Sequence, residues 1–336
     1  MGNSISQGIT STQFYLHGRK NFTRTGYEEA KKSFKPGALE QVDLKDKVYL
    51  VTGANSGLGA ELTEYLASKG GRVYMVCRNK ERAEVAKKAI VEKTKNEQVE
   101  VIIGDCGLKE DVQSVVEQFG SKEKKLDCLV CNAGTITDDK VLTKEGVETT
   151  FATHLLHGAY TLSTLATPYL EAAEEPRVVM VSSGGMYNSK FPKWSVSTAT
   201  SETYKYDGQL AYCYAKRGQV LLCEEWAKQN KKIAFASCHP GWVDTPGVSA
   251  VYGDKKSYLE PLRSLWEGTD GIAWLCVAPK EELKSGEYYL DRTPQRKHLS
   301  GPFFTDGSFT KNTPQEVETM MTNLSKWSKE GPSSTA

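Results

Sequence analysis

Tyr212 and Lys216 stand four residues apart in "GQLAYCYAKRGQ". On a helix that spacing makes them neighbours on one face, whereas Tyr214, two residues from the lysine, points elsewhere. A free phenol ionises at about pH 10. A neighbouring ammonium favours the phenolate and pulls that value toward neutrality. Such a tyrosine can give a proton to a carbonyl oxygen while hydride reaches the carbon, or take it back in reverse. The Y-x-x-x-K spacing alone is common in helices and would equally describe a surface pair, so the elements that position it decide its meaning.

Those elements alternate. "KVYLVTG", "RVYMVC", "VEVIIGD", "LDCLVCNAG", "RVVMVSS", "KIAFASCHPG" and "GEYYLD" read as seven strands. Amphipathic helical stretches separate the first six, among them a long one from about Val147 to Ala172. Near-continuous apolar strands alternating with helices predict a doubly wound α/β fold: a parallel sheet of these strands buried on both faces. In such a sheet ligands gather at the C-terminal ends of the strands.

The polar motifs fall at those ends. "TGANSGLG" follows the first strand, with Gly53, Gly57 and Gly59 able to bring the backbone, with Asn55, Ser56 and Leu58, close to a pyrophosphate at a helix N-terminus. Tight strand–helix packing without ligand is the alternative. Arg78 ends the second strand, where an acidic residue would bind the 2′-hydroxyl of NAD. An arginine there suits the 2′-phosphate of NADP, so NADP(H) is expected over NAD(H), the plainer reading being a solvated arginine. Asp105 ends the third strand near the expected adenine. Asn132, Ala133 and Gly134 end the fourth, and Ser182 and Ser183 end the fifth, where a hydroxyl can hold the substrate oxygen. Pro240, Gly241, Val243 and Thr245 follow the sixth, Thr245 within reach of a nicotinamide carboxamide.

Bulk properties exclude other classes. Among 336 residues, 43 Lys and Arg balance 42 Asp and Glu, so no net field draws nucleic acid or other polyanions. No apolar run approaches the roughly 18 residues of a membrane span. The start of the chain lacks a signal-peptide core, and the eight cysteines read as reduced thiols of a cytoplasmic protein. Cys128 and Cys131 form a C-x-x-C. On a strand, however, residues three apart face opposite ways, and no second pair completes a zinc site, so no metal is expected.

Taken in order, "TGANSGLG", "NAG", "VSS", "YCYAK" and "PGWVDT" resemble the short-chain dehydrogenase/reductase family over about residues 46 to 300. "TRTGYEEAKKSFKP" and "SGEYYLDRTPQRKHL" are similar to the ends of one subgroup, whose substrate the motifs do not fix. The resemblance implies a Rossmann sheet and a Ser-Tyr-Lys site at Ser183, Tyr212 and Lys216, with the lysine also holding the nicotinamide ribose. It implies an NADP(H)-dependent oxidoreductase acting on a carbonyl or alcohol, with pairing of two copies through the Tyr212 helices common in the family. Three segments follow: an N-terminal extension (1–44), a Rossmann domain (45–300) and a C-terminal extension and tail (301–336).

One departure matters. The family pattern F-x-x-N-x-L-G becomes "FATHLLHG". His154 replaces the asparagine of a water-linked proton relay, and Gly158 comes one residue late, as if a residue were inserted. His154 could bind a relay water or be a packed core histidine. A rival function follows: a cofactor-binding but catalytically weak module that senses NADP(H) or docks at a membrane. "MGNSIS" fits the myristoylation pattern at Gly2, with Arg19, Lys20 and Arg24 as a modest second membrane signal, or is simply a polar, unstructured start. Met186, Tyr187, Trp194 and Tyr252 suggest an apolar or lipid-like substrate, or a partner surface.

Overall fold

The computed structural model describes residues 2–245, 248, 253–299, 307 and 309–332. Helices α1 (Gly2–Asn21) and α2 (Arg24–Lys31) come first. The alternating body follows: β1 (Val48–Thr52), α3 (Gly57–Ser68), β2 (Arg72–Cys77), α4 (Lys80–Thr94), β3 (Val99–Ile103), α5 (Lys109–Lys122) and β4 (Cys128–Cys131). A helix in three parts comes next: α6 (Thr149–Phe151), a π-helical stretch (Ala152–Thr161) and α7 (Leu162–Glu171). Then come β5 (Arg177–Val181), a 3₁₀ turn (Gly184–Asn188), α8 (Trp194–Ser197), α9 (Gly208–Gln229) and β6 (Ala234–Cys238). The chain closes with α10 (Leu265–Val277), β7 (Tyr288–Leu290), β8 (Thr293–Pro294) and α11 (Pro314–Glu330).

The sheet order is β3-β2-β1-β4-β5-β6-β7-β8, parallel except for the last pair. Seven strands match the expected ones. The eighth, two residues long and antiparallel, was too short to carry a periodic signal. Because β1 pairs with both β2 and β4, the connections diverge there and open a crevice at their C-terminal ends.

Strand alternation divides the core in two. Leu50, Leu129, Val178 and Met180 pack on the side of α5, α7 and α9. Tyr49, Val51, Val130 and Val179 pack on the side of α3 and α10. Each such side chain contributes about 1.5–3 kcal/mol when fully buried. Cys128 and Cys131 follow the same rule, one in each layer, and all eight cysteines are free and buried. Helix starts are written locally: Asp207 accepts from the Leu210 N–H at 2.9 Å to open α9, and Ser264 with Glu267 closes a capping box on α10.

Two expectations need correction. The polar start around "MGNSIS" is not unstructured: from Gly2 to Lys31 the chain is almost wholly helical. Thr10, Phe22 and Tyr27 of this segment are buried against the body. Helix α11, in the C-terminal extension, buries Met320, Leu324 and Trp327 in the main core. The aromatic set assigned to the substrate pocket also lies elsewhere. Met186 and Tyr187 are buried in a third cluster with Phe22 and Tyr288, and Trp194 stacks edge-on with Phe151 and Trp327. Tyr252 lies outside the described residues. Among the described residues no helix is long and apolar enough to cross a membrane.

Candidate active site

The crevice at the β1–β4 switch point opens into a cavity of about 880 Å³. Its floor is the glycine turn. Gly53 has φ +65°, a conformation that favours glycine. Gly59 packs so tightly that a Cβ would lie 2.3 Å from the Gly53 carbonyl oxygen. Asn132 secures the turn from β4: its Nδ2 donates to the Thr52 carbonyl at 2.9 Å, and the backbone N–H groups of Asn132 and Ala133 both donate to the Thr52 hydroxyl. The Asn132 side chain therefore holds the loop on which Asn55, Ser56, Gly57 and Leu58 line the cavity.

At the far end, Arg78 and Asn79 at the end of β2 meet Asp105 after β3 in a polar recess of about 540 Å³. Asp105 is spoken for by the backbone, accepting from the Gly107 N–H at 2.8 Å. Arg82, in the first turn of α4, lines the same recess. The sequence reading missed it. The signal was available: Arg82 lies four residues beyond Arg78, in a helix capped by Asn79, which accepts from the Arg82 N–H at 2.8 Å.

At the opposite end Ser183, Tyr212 and Lys216, the residues expected from the sequence to react, line the same cavity. Ser182 and Ser183 take different roles. The Ser182 hydroxyl donates to the Lys216 carbonyl at 2.9 Å and braces α9, whereas Ser183 opens the 3₁₀ turn, accepting from the Gly185 N–H at 3.1 Å. Tyr212 lines the cavity and Tyr214 does not. The Lys216 ammonium lies 5.4 Å from the Tyr212 ring centroid and donates to the Val181 carbonyl at 2.6 Å. Burial drives the Lys216 ammonium down to about 7.

His154 is buried. Its Nε2 meets the Thr135 backbone, 3.0 Å from the N–H and 2.8 Å from the carbonyl, and its Nδ1 has no partner. Burial, and then the Lys216 charge, hold this imidazole well below the usual histidine range, so it is neutral at physiological pH. Its carbonyl accepts from Gln219 Nε2 at 2.7 Å. The inserted residue read from "FATHLLHG" coincides with the π-helical stretch.

Pro240, Gly241, Val243 and Thr245 border the cavity after β6. The Thr245 hydroxyl accepts from the Val248 N–H at 3.2 Å, leaving its own proton to donate. His239, which the sequence reading did not single out, also lines the cavity. It is buried with both ring nitrogens unpartnered.

A family model described as short chain dehydrogenase matches residues 47–200. Dehydrogenase/reductase SDR family member 12 of Bos taurus is 39% identical over 291 residues, 86% of this chain and 90% of that protein. The chain belongs to the short-chain dehydrogenase/reductase family. Retinol dehydrogenase 12 of Homo sapiens is 34% identical over 255 residues, covering 74% of this chain and 79% of that one. The NADP complex of RhlG from Pseudomonas aeruginosa has a similar fold, with a TM-score of 0.59 at 18% identity over 76% of this chain and 96% of that one. The short-chain dehydrogenase/reductase motifs sit where the fold requires: the glycine turn after β1, "NAG" after β4, the serine after β5 and the Tyr-Lys pair on α9. This is a family of nicotinamide-dependent oxidoreductases, and it acts on small molecules.

Proposed function

We propose that the protein is an NADP(H)-dependent oxidoreductase that interconverts a carbonyl and an alcohol. The observation that carries this reading is the convergence of Ser183, Tyr212 and Lys216 on the same cavity as the glycine turn. The residues fit a dinucleotide: the close approach of Gly53 and Gly59 leaves backbone where a Cβ would stand. Arg78 and Arg82 supply two positive charges at the recess facing the adenosine end. When bound, NADPH supplies the hydride.

The chain's own part is proton handling and orientation. The Ser183 hydroxyl donates to the substrate oxygen and fixes it beside Tyr212. The Tyr212 hydroxyl passes its proton to that oxygen as negative charge builds there. The Lys216 ammonium stabilises the resulting phenolate across the helical turn. It also offers N–H groups to a ribose hydroxyl, as family likeness implies. Arg78 and Arg82 pair with the 2′-phosphate and select NADP(H) over NAD(H).

The test is a fluorescence titration with NADPH and NADH on wild type and Arg78→Ala, followed by a carbonyl panel with Tyr212→Phe as control. Tight NADPH binding that weakens without Arg78, and turnover lost without the phenol, support the reading. Binding of neither cofactor would end it. A neutral His154 where an asparagine is usual favours a second reading, a cofactor-binding module of weak catalysis. Tight NADPH binding with no turnover across a broad panel is its signature.

A further inference from the structure

The N-terminal helix forms one wall of the reacting end of the cavity. Thr10, Phe14, Gly18 and Phe22 recur every four residues, a single stripe along α1 and its end. Thr10 Oγ1 donates to the Asn188 carbonyl at 2.9 Å, at the last residue of the turn that Ser183 opens. The Phe14 ring lies 6.1 Å from Trp242 and 6.0 Å from Phe22. Gly18 lets the helix touch Trp242: a Cβ there would come within 2.4 Å of the indole. The Phe22 carbonyl accepts from the Trp242 N–H at 2.7 Å.

The helix is latched rather than loosely laid. Arg263, almost fully buried and paired bidentately with Asp291, donates to the carbonyls of Asn21 and Phe22 at 2.8 and 2.9 Å. The same guanidinium lies beneath Gly241, at the start of the loop bearing Trp242 and Val243. Seated this way, α1 presents Ser11 and Phe14 to the cavity. Beside Phe14, Val248 and Leu259 pack in the same apolar cluster as Trp242, and Leu210 and Cys213 also line the cavity. These apolar side chains border the polar Ser183, Asn188, Tyr212 and Thr245, so the cavity has an apolar side next to its polar centre.

We propose that α1 is the substrate-selecting wall of this site and that Phe14, facing Trp242 and Leu259, makes it a site for carbonyl compounds with an extended apolar chain. The proposal rests on the carbonyl/alcohol reading of the cavity and adds the substrate class and the residues that set it. Phe14 contacts the chain of the substrate, not its reacting atoms, so it governs affinity for long substrates and leaves the chemical step alone.

The experiment measures binding of methyl ketones from four to twelve carbons by calorimetry. It uses protein loaded with NADP⁺, which cannot reduce them. In wild type, affinity rises about three- to fourfold per methylene added until the apolar side is filled. Phe14→Ala leaves the four-carbon ketone unchanged and weakens the ten-carbon ketone at least tenfold. Phe14→Leu restores most of that loss, which separates lost contact from an unseated helix. Ser11→Trp, filling the cavity from α1, excludes the longer ketones while NADP⁺ affinity stays within twofold. If the three variants keep the wild-type chain-length dependence, or if wild type shows none, α1 is not the selecting wall. NADP⁺ affinity is read separately. Its absence alongside chain-length-dependent ketone binding overturns the cofactor reading and leaves the wall standing. NADP⁺ binding with flat ketone affinities does the reverse.

Discussion

His154 stands edge-on to Tyr212, with ring centroids 5.2 Å apart and planes inclined by 85°. The imidazole fixes one side of the phenol while Lys216 lies across the other reach of the helical turn. A neutral ring anchored on Thr135 and edge-on to Tyr212 suits a positioning role, and we propose that role for His154.

His154→Ala should therefore lower kcat about tenfold with NADPH affinity within twofold, since it removes the edge contact and leaves the Thr135 backbone without its side-chain partner. The pH profile should lose no limb near 6.5. Steady-state kinetics from pH 5.5 to 8.5 measures both, and an unchanged kcat would remove His154 from any part in orienting Tyr212.

Tyr212→Phe keeps the ring and its packing and removes the hydroxyl, and with it the proton donor. Turnover should fall about 10²- to 10⁴-fold, while the NADPH dissociation constant stays within about twofold. Tyr214→Phe, on the same helix but not at the cavity, should retain most activity.

Lys216 gives cofactor binding a pH dependence. In the free protein its ammonium loses its proton near 7 because burial disfavours the charge. A polyanionic cofactor binds the charged form better, so NADPH affinity should fall as pH rises from 6.5 to 8.5. Lys216→Met should flatten that dependence, which a titration series would show directly.

Arg78→Ala should weaken NADPH about tenfold to a hundredfold, the range for loss of a charge-assisted hydrogen bond, with little effect on NADH. Arg82→Ala should act in the same direction because both line one recess.

Stability should fall on mild acidification. His154, His157 and His239 are buried and all are depressed, His157 to about 4, chiefly by burial. Their stabilisation is fully present above the unfolded value of about 6.5. It is lost as pH falls from there toward their folded values, because the unfolded chain takes up protons that the folded one refuses. The urea midpoint at pH 5.5 should be lower than at pH 7.5, and His157→Gln should reduce the difference.

The sheet, and the meeting of Ser183, Tyr212 and Lys216 at one cavity, were legible because their signals are local: apolar runs for strands, glycines at a strand–helix turn, a four-residue Tyr–Lys spacing. The insertion before Gly158 could be read, but its accommodation as a π-helical stretch could not, since that depends on what surrounds residues 152–161. α1 escaped notice for a different reason. Its buried stripe holds only two aromatics, with a threonine and a glycine between and beside them, and a glycine is read as freedom when here it permits contact with Trp242. The pocket aromatics were misplaced because aromatic type says nothing about which face of a turn a ring occupies. Tyr187 goes under α1, its hydroxyl donating to the Arg296 carbonyl.

The latch on α1 sets an order of events during synthesis. The helix is made before the body it packs on, and Arg263, which grips the Asn21 carbonyl, follows 242 residues later. A nascent chain carries α1 unseated until almost the whole domain has emerged. A stripe of threonine, glycine and two aromatics suits that wait, because it exposes less sticky surface than a run of leucines would. The site acquires its α1 wall only after Arg263 has been made.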